Sequence, residues 1–247
     1  MHGTSAITAI TAQNTLAVSA VHQIPPEMVL AQVRAVVSDI GVDAVKVGML
    51  GSAAVALAVA QAIDELPAST PVVVDPVMVA ESGARLLAPE AQDALVQEIL
   101  PRASMLTPNL PEAWALAGLG PVDAAELAAA SDAEVEALVR EVLALGPRAV
   151  VLTGGHRERA VDVFLDSAKG GSIVCIEGER HPDGAAHGSG CTHSALLAAQ
   201  LALGHTPLQA ARTARALAGE AVARGLRDIG AGAGPVDVLG LASMRED

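Results

Sequence analysis

The chain has 247 residues, 15 basic against 28 acidic side chains for a formal charge of -13, 51% hydrophobic residues and only 1% aromatic ones. A non-specific nucleic-acid binder needs a basic face, and Trp114 and Phe164 alone give no platform for stacked bases, so that class is excluded. The two cysteines, Cys175 and Cys191, form neither a disulfide framework nor a zinc spacing, which fits a reducing cytoplasm. MHGTSAITAITAQNT has no basic segment ahead of a long apolar one, and no run of about 18 apolar residues is free of charges and breakers. Neither a signal peptide nor a membrane span is expected.

In chain order, β-rich runs are predicted at 4–12 (TSAITAITA), 43–48 (DAVKVG), 71–75 (PVVVD), 104–107 (SMLT), 148–153 (RAVVLT), 161–165 (VDVFL) and 172–177 (SIVCIE). Helix-length segments at 27–40, 53–66, 89–100 and 132–145 have apolar residues recurring at three and four. Ser131 with Glu134 fits a capping box, and Thr206-Pro207 fits an N-cap followed by proline at the first helical position. Alternating strands and helices predict an α/β fold of three layers, a mostly parallel central sheet with helices on both faces. VVVD at 72–75 and AVVLT at 149–153 read as strands buried on both faces. The two runs within 161–177, joined by DSAKGG, read as an antiparallel edge hairpin. No linker or repeat interrupts residues 1–247, so a single domain is predicted.

Ligands of open α/β sheets sit beyond the carboxyl ends of the strands, so the residues after each strand are read together. Gly188, Ser189, Gly190 and Cys191 open a long alanine-rich helix. Their amides would converge on an anion, and Cys191 beside a helix N-terminus would have a lowered pKa and act as base or nucleophile; the other reading is a tight turn with a small cysteine. Asp75 is a Mg²⁺ or water ligand, or caps a turn. Asn109 and Glu112, three apart as a helix begins, bind Mg²⁺ and phosphate through water, or cap that helix. Thr153, Gly154 and Gly155 wrap a nucleotide, or merely turn. Gln13 and Asn14 hydrogen-bond a heterocycle, or form a turn. His156, His181, His187 and His193 show no metal-binding spacing.

Together SAITAITAQNT, VKVGML, VVVDPVMVAESG, LTPNLPEA, the GGH turn, HGSGCT and the closing GAGP, from Gly3 to about Pro235, resemble the ribokinase-like superfamily. Within it they are similar to the hydroxymethylpyrimidine/phosphomethylpyrimidine kinases of thiamine biosynthesis. The resemblance implies transfer of the γ-phosphoryl of ATP to 4-amino-5-hydroxymethyl-2-methylpyrimidine and then to its monophosphate, in a cytoplasmic homodimer. It implies Cys191 as the base, the Gly188–Cys191 amides around the moving phosphoryl group, and Gln13, Met49 and Val77 around the pyrimidine. Asp75, Asn109 and Glu112 would hold Mg²⁺ and phosphates, with Thr153, Gly154 and Gly155 along the nucleotide.

The chain also departs from that pattern. Family members carry a strand and a GSDSSGGAGIQAD-like loop ahead of the stretch matching His2–Thr15, so a natural start upstream of Met1 is expected. Glu81 stands where the family usually has Lys, and Thr153 where it often has Lys. Arg85 and Arg157 are the cations expected to compensate, and the NT that usually precedes HGTGCT is missing. Two other readings stay open: a pyridoxal or pyridoxine kinase, and a non-catalytic pyrimidine-binding relative.

Overall fold

The computed structural model describes residues 2–79, 86–120, 122–157, 159–182 and 184–240. Strands β3 (Val45–Val47), β4 (Val72–Val74), β5 (Met105–Leu106), β6 (Ala149–Leu152), β7 (Val161–Asp166) and β8 (Ile173–Glu177) form one sheet in chain order. β3 to β6 are parallel; β7 runs antiparallel to β6, and β8 antiparallel to β7. The expected edge hairpin is therefore present. The helices are α1 (Pro26–Asp39), α2 (Ala53–Asp64), α3 (Pro89–Ala94), α4 (Leu110–Leu116), α5 (Ala124–Ala128), α6 (Asp132–Ala144), α7 (Ser189–Ala202) and α8 (Pro207–Ala223). The capping boxes at Ser131–Glu134 and Thr206–Gln209 both form. Among the described residues no helix is long and apolar enough to cross a membrane.

The pleat sends alternate residues of each strand to opposite layers. Val72, Val74, Val150 and Leu152 pack with α1, α2, α4 and α6 in the larger core. Val73, Met105, Ala149, Val151 and Phe164 face α7 and α8 in the smaller one. That second layer explains how a chain almost without aromatics closes its core. Ala210, Ala211, Ala214, Ala218 and Ala221 form a buried stripe on α8, and side chains this small let α8 pack close to α7 and the sheet.

Two expectations about individual elements need correction. The strand placed at 4–12 is shorter and later, β1 (Ala9–Gln13), and it pairs with β2 (Val18–Gln23), a strand the pattern did not reveal. This hairpin is separate from the main sheet, and most of its residues are exposed on both faces. With no face buried, hydrophobicity does not alternate along it, so the usual signal is absent. Asn14 makes its turn: Oδ1 accepts from the N–H groups of Leu16 and Ala17. The segment read as one helix at 89–100 also changes character. α3 passes into a π-helical stretch, Leu95–Ile99, then a 3-10 turn, Leu100–Arg102, that carries Pro101.

Candidate active site

The carboxyl ends of β3 to β6 meet along one edge of the sheet, and a cleft of about 1580 Å³ opens above them. Met49 follows β3, Asp75 and Val77 follow β4, Asn109 and Glu112 follow β5, and Thr153 and Gly155 follow β6. All line the cleft. Gln13, at the end of β1, lines it as well, and Thr8 of the same segment donates through Oγ1 to Met49 O at 2.7 Å. Gly188, Ser189, Gly190 and Cys191 supply another wall. Twelve of the fourteen candidate residues thus share one cleft; Asn14, in the β1–β2 turn, does not line it. Gly154 does not line it. Its N–H donates to Asp162 Oδ1 at 2.9 Å, and a Cβ there would lie 2.2 Å from Val161 O, so its glycine answers a packing demand.

The start of α7 is shaped by Gly188, whose φ of 85° lies in the left-handed region. Ser189 N–H bonds to Ala186 O at 3.0 Å and Thr192 N–H to Gly188 O at 2.9 Å. The N–H groups of Gly190 and Cys191 stand between these, at the open positive end of the helix.

Asp75 lies beneath that end. It is 5% exposed, and its Oδ2 accepts from Ser194 Oγ at 2.9 Å and faces Lys46 Nζ at 3.2 Å. Lys46 and Ser194 were not singled out from the sequence. The signal for Lys46 was its position as the one charge in VKVGML. Val47 belongs to the larger core, so by the pleat its neighbour Lys46 faces α7, as does Asp75, two residues after Val73. Gly48 makes room for it: a Cβ there would lie 2.6 Å from Lys46 Nζ. This changes the account of compensating cations. Arg157 does not serve the cleft; it is 9% exposed, with NH2 at 2.5 Å from Asp132 Oδ1 and 3.1 Å from Ala130 O. Arg85 and Glu81 lie outside the described residues.

The expectation for Cys191 is also corrected. Its thiol opens onto the cleft, but the protein around it pushes the pKa up, not down. Loss of solvent is the main cause. The Asp75 and Glu112 carboxylates add to it, and Lys46 opposes both. The Cys191 N–H at the start of the helix also draws the pKa down, without reversing the direction.

Asn109 and Glu112 cap α4 reciprocally. Asn109 Oδ1 accepts from Glu112 N–H at 2.8 Å, and Glu112 Oε2 accepts from Asn109 N–H at 2.9 Å. Glu112 is pushed up to about 8, chiefly by burial and further by Asp75, while the Asn109 and Met78 N–H groups and Lys46 oppose the rise. Two carboxylates near enough for Asp75 to raise the Glu112 pKa, with the Asn109 amide oxygen beside Glu112, are oxygen donors of the kind a hard divalent cation takes. Among the described residues no group of three or more His, Cys, Asp or Glu gathers as a metal cage.

A profile of the family "Phosphomethylpyrimidine kinase" matches residues 1–237. The hydroxymethylpyrimidine/phosphomethylpyrimidine kinase of Haemophilus influenzae is 38% identical over 238 residues, 95% of this chain and 85% of that protein. The crystal structure of phosphomethylpyrimidine kinase from Clostridium difficile superimposes with a TM-score of 0.70 at 33% identity, covering 87% of this chain and 84% of the other. Pyridoxal kinase from Staphylococcus aureus in complex with AMP-PCP and pyridoxal gives 0.77 at 28% identity, covering 94% and 81%. The profile spans the whole of the six-stranded sheet and the residues that line the cleft, and the chain belongs to the phosphomethylpyrimidine kinase family.

Proposed function

We propose that the cleft transfers the γ-phosphoryl group of ATP to the hydroxymethyl oxygen of 4-amino-5-hydroxymethyl-2-methylpyrimidine, and then a second phosphoryl group to the monophosphate, for thiamine diphosphate synthesis. The observation that carries this reading is the placement of Cys191 and the Gly190 and Cys191 amides at the N-terminus of α7. They face the same cleft as Gln13, Met49 and Val77 on one side and Asn109 and Thr153 on the other.

Gln13 hydrogen-bonds the ring, and Met49 and Val77 pack against it. The open amides of α7 hold the transferring phosphoryl oxygens and stabilise charge as it spreads in the transition state. Cys191 Sγ, as thiolate, takes the hydroxyl proton as the new O–P bond forms and the bond to ADP breaks. Thr153 and Gly155 lie along the nucleotide. Asp75, Asn109 and Glu112 would hold Mg²⁺, which when bound neutralises charge on the phosphates. In the second step the acceptor is an ionised phosphate, so the amides matter more there than the thiol. We read the chain as one kinase domain, because both core clusters share one sheet. We also read it as a cytoplasmic homodimer. Its two cysteines are free, and the exposed Ile10 of the β1–β2 hairpin offers an apolar side chain to a second copy.

A second reading, a pyridoxal kinase, is favoured by the higher TM-score of the Staphylococcus aureus enzyme. Both substrates present a hydroxymethyl group on a nitrogen heterocycle. The test supplies the chain with ATP, Mg²⁺ and either ring, and follows mono- and diphosphate products. Mono- and diphosphate from the pyrimidine support the first reading. Turnover of pyridoxal alone supports the second, and binding of the pyrimidine with no product overturns both.

A further inference from the structure

A buried polar cluster lies behind the two turns that form the reaction centre. Asp162 is 1% exposed and His193 5% exposed. Asp162 sits at the start of β7, and because β7 runs antiparallel, its first residues arrive at the same edge as the ends of β3 to β6. Its Oδ1 accepts from Gly154 N–H at 2.9 Å and lies 3.7 Å from Arg215 Nε; its Oδ2 lies 3.8 Å from His193 Nε2. Asp162 Oδ2, both ring nitrogens of His193 and Arg215 Nε are all buried without a hydrogen-bond partner. Burial keeps His193 below its ordinary pKa, so the charge of Asp162 is balanced by Arg215.

As a stability device this cluster is poor. A buried ion pair needs hydrogen-bonded contact to offset its desolvation, and apolar side chains of similar size often do as well. Its placement is more informative. Gly154 belongs to the turn after β6, between the cleft-lining Thr153 and Gly155, and His193 is two residues after Cys191 in the first turns of α7. Asp162 therefore touches the turn beside the nucleotide on one side and the helix end bearing the reactive amides on the other. Room for the arrangement is provided at a distance. Arg215, on α8, passes over Gly178, where a Cβ would lie 2.3 Å from Nε, and its NH2 donates to Ala160 O at 2.8 Å.

We infer that Asp162, held between Gly154, His193 and Arg215, is a positioning residue that fixes the turn 153–156 against the N-terminus of α7. It thereby sets the gap across which the phosphoryl group moves. The inference rests on the kinase reading for its kinetic consequences only, since the mechanical coupling is a property of the fold. Transfer rates are sensitive to misplacements of this scale, and groups of this kind act by holding others.

Three measurements test it on the full chain. Asp162→Asn keeps an acceptor for Gly154 N–H and removes the charge. It is expected to raise KM for ATP about tenfold and lower kcat by a similar factor, with KM for the pyrimidine within about twofold. Gly178→Ala changes no charge and displaces Arg215. It is expected to act in the same direction, and its effect should vanish in an Arg215→Met background, because both act through one group. Hydrogen–deuterium exchange of the ligand-free chain should show segments 153–157 and 189–194 loosening together in Asp162→Asn, with β4 and β5 unchanged. Exchange does not depend on turnover, so a chain inactive on every substrate still decides the matter. Equal loosening everywhere, or loosening of 153–157 alone, would overturn the inference, as would a Gly178→Ala effect that persists without Arg215.

Discussion

Ser194 Oγ donates to Asp75 Oδ2 at 2.9 Å across 119 residues of sequence, tying the second turn of α7 to the end of β4. The hydroxyl also lies 3.0 Å from Gly190 O and 3.1 Å from Cys191 O, but it carries one proton, and the carboxylate is the charged acceptor. Asp75 is thereby pinned below the amides that the mechanism uses. Ser194→Ala is expected to cost about 1–2 kcal/mol of stability, and kcat about tenfold, because a buried carboxylate loses a donor. Denaturant melts and steady-state kinetics check this. Wild-type kcat in a folded variant would show that Asp75 does not need this anchor.

Among the described residues Lys46 is the cation that reaches Asp75, and it also draws the Cys191 and Glu112 pKa values down. Lys46→Met is expected to push the Cys191 thiol further up and to lower kcat by about 10². The thiol shift is read from the pH dependence of alkylation at Cys191. Gly48→Ala should reproduce part of the loss without removing charge, since its Cβ would meet Nζ.

The raised Cys191 pKa has a kinetic sign. Below its pKa the base is mostly protonated, so the first phosphorylation is expected to speed up about tenfold per pH unit from neutrality into the alkaline range. The second step, with an ionised acceptor, should depend on pH much less at Cys191. Cys191→Ala is expected to abolish the slope of the first step while sparing more of the second. A pH profile of the two steps, measured separately, decides this; an unchanged first-step slope in the variant removes Cys191 as the base.

Glu112 makes a stability prediction. Its pKa rises from 4.5 to about 8 on folding, so between those values the folded chain keeps a proton that the unfolded chain has lost. Stability must therefore fall as pH rises through that window. Glu112→Gln removes the titration and can still accept from Asn109 N–H. In the absence of divalent cations its Tm, measured relative to wild type, is expected to climb as pH is raised from about 5 to about 8.5. A difference that stays flat across the window would show that Glu112 titrates normally.

The sequence by itself determined the layering, the edge hairpin of β7 and β8, and the helix starts at Ser131 and Thr206. Each of these is written in local periodicity or in a short capping pattern. It also determined that the polar residues after the strands would meet, because parallel strands deliver their carboxyl ends to one edge. Tertiary structure alone decided three things. It brought Lys46 to Asp75, which needs the facing of β3 and the room above Gly48. It placed Asp162 at the site, because the reversal of β7 brings the start of a strand to an edge where only strand ends were sought. It also set the Cys191 thiol above its ordinary pKa: proximity to a helix N-terminus is legible in sequence, but burial and the charges of Asp75 and Glu112 arise only when distant segments close around it.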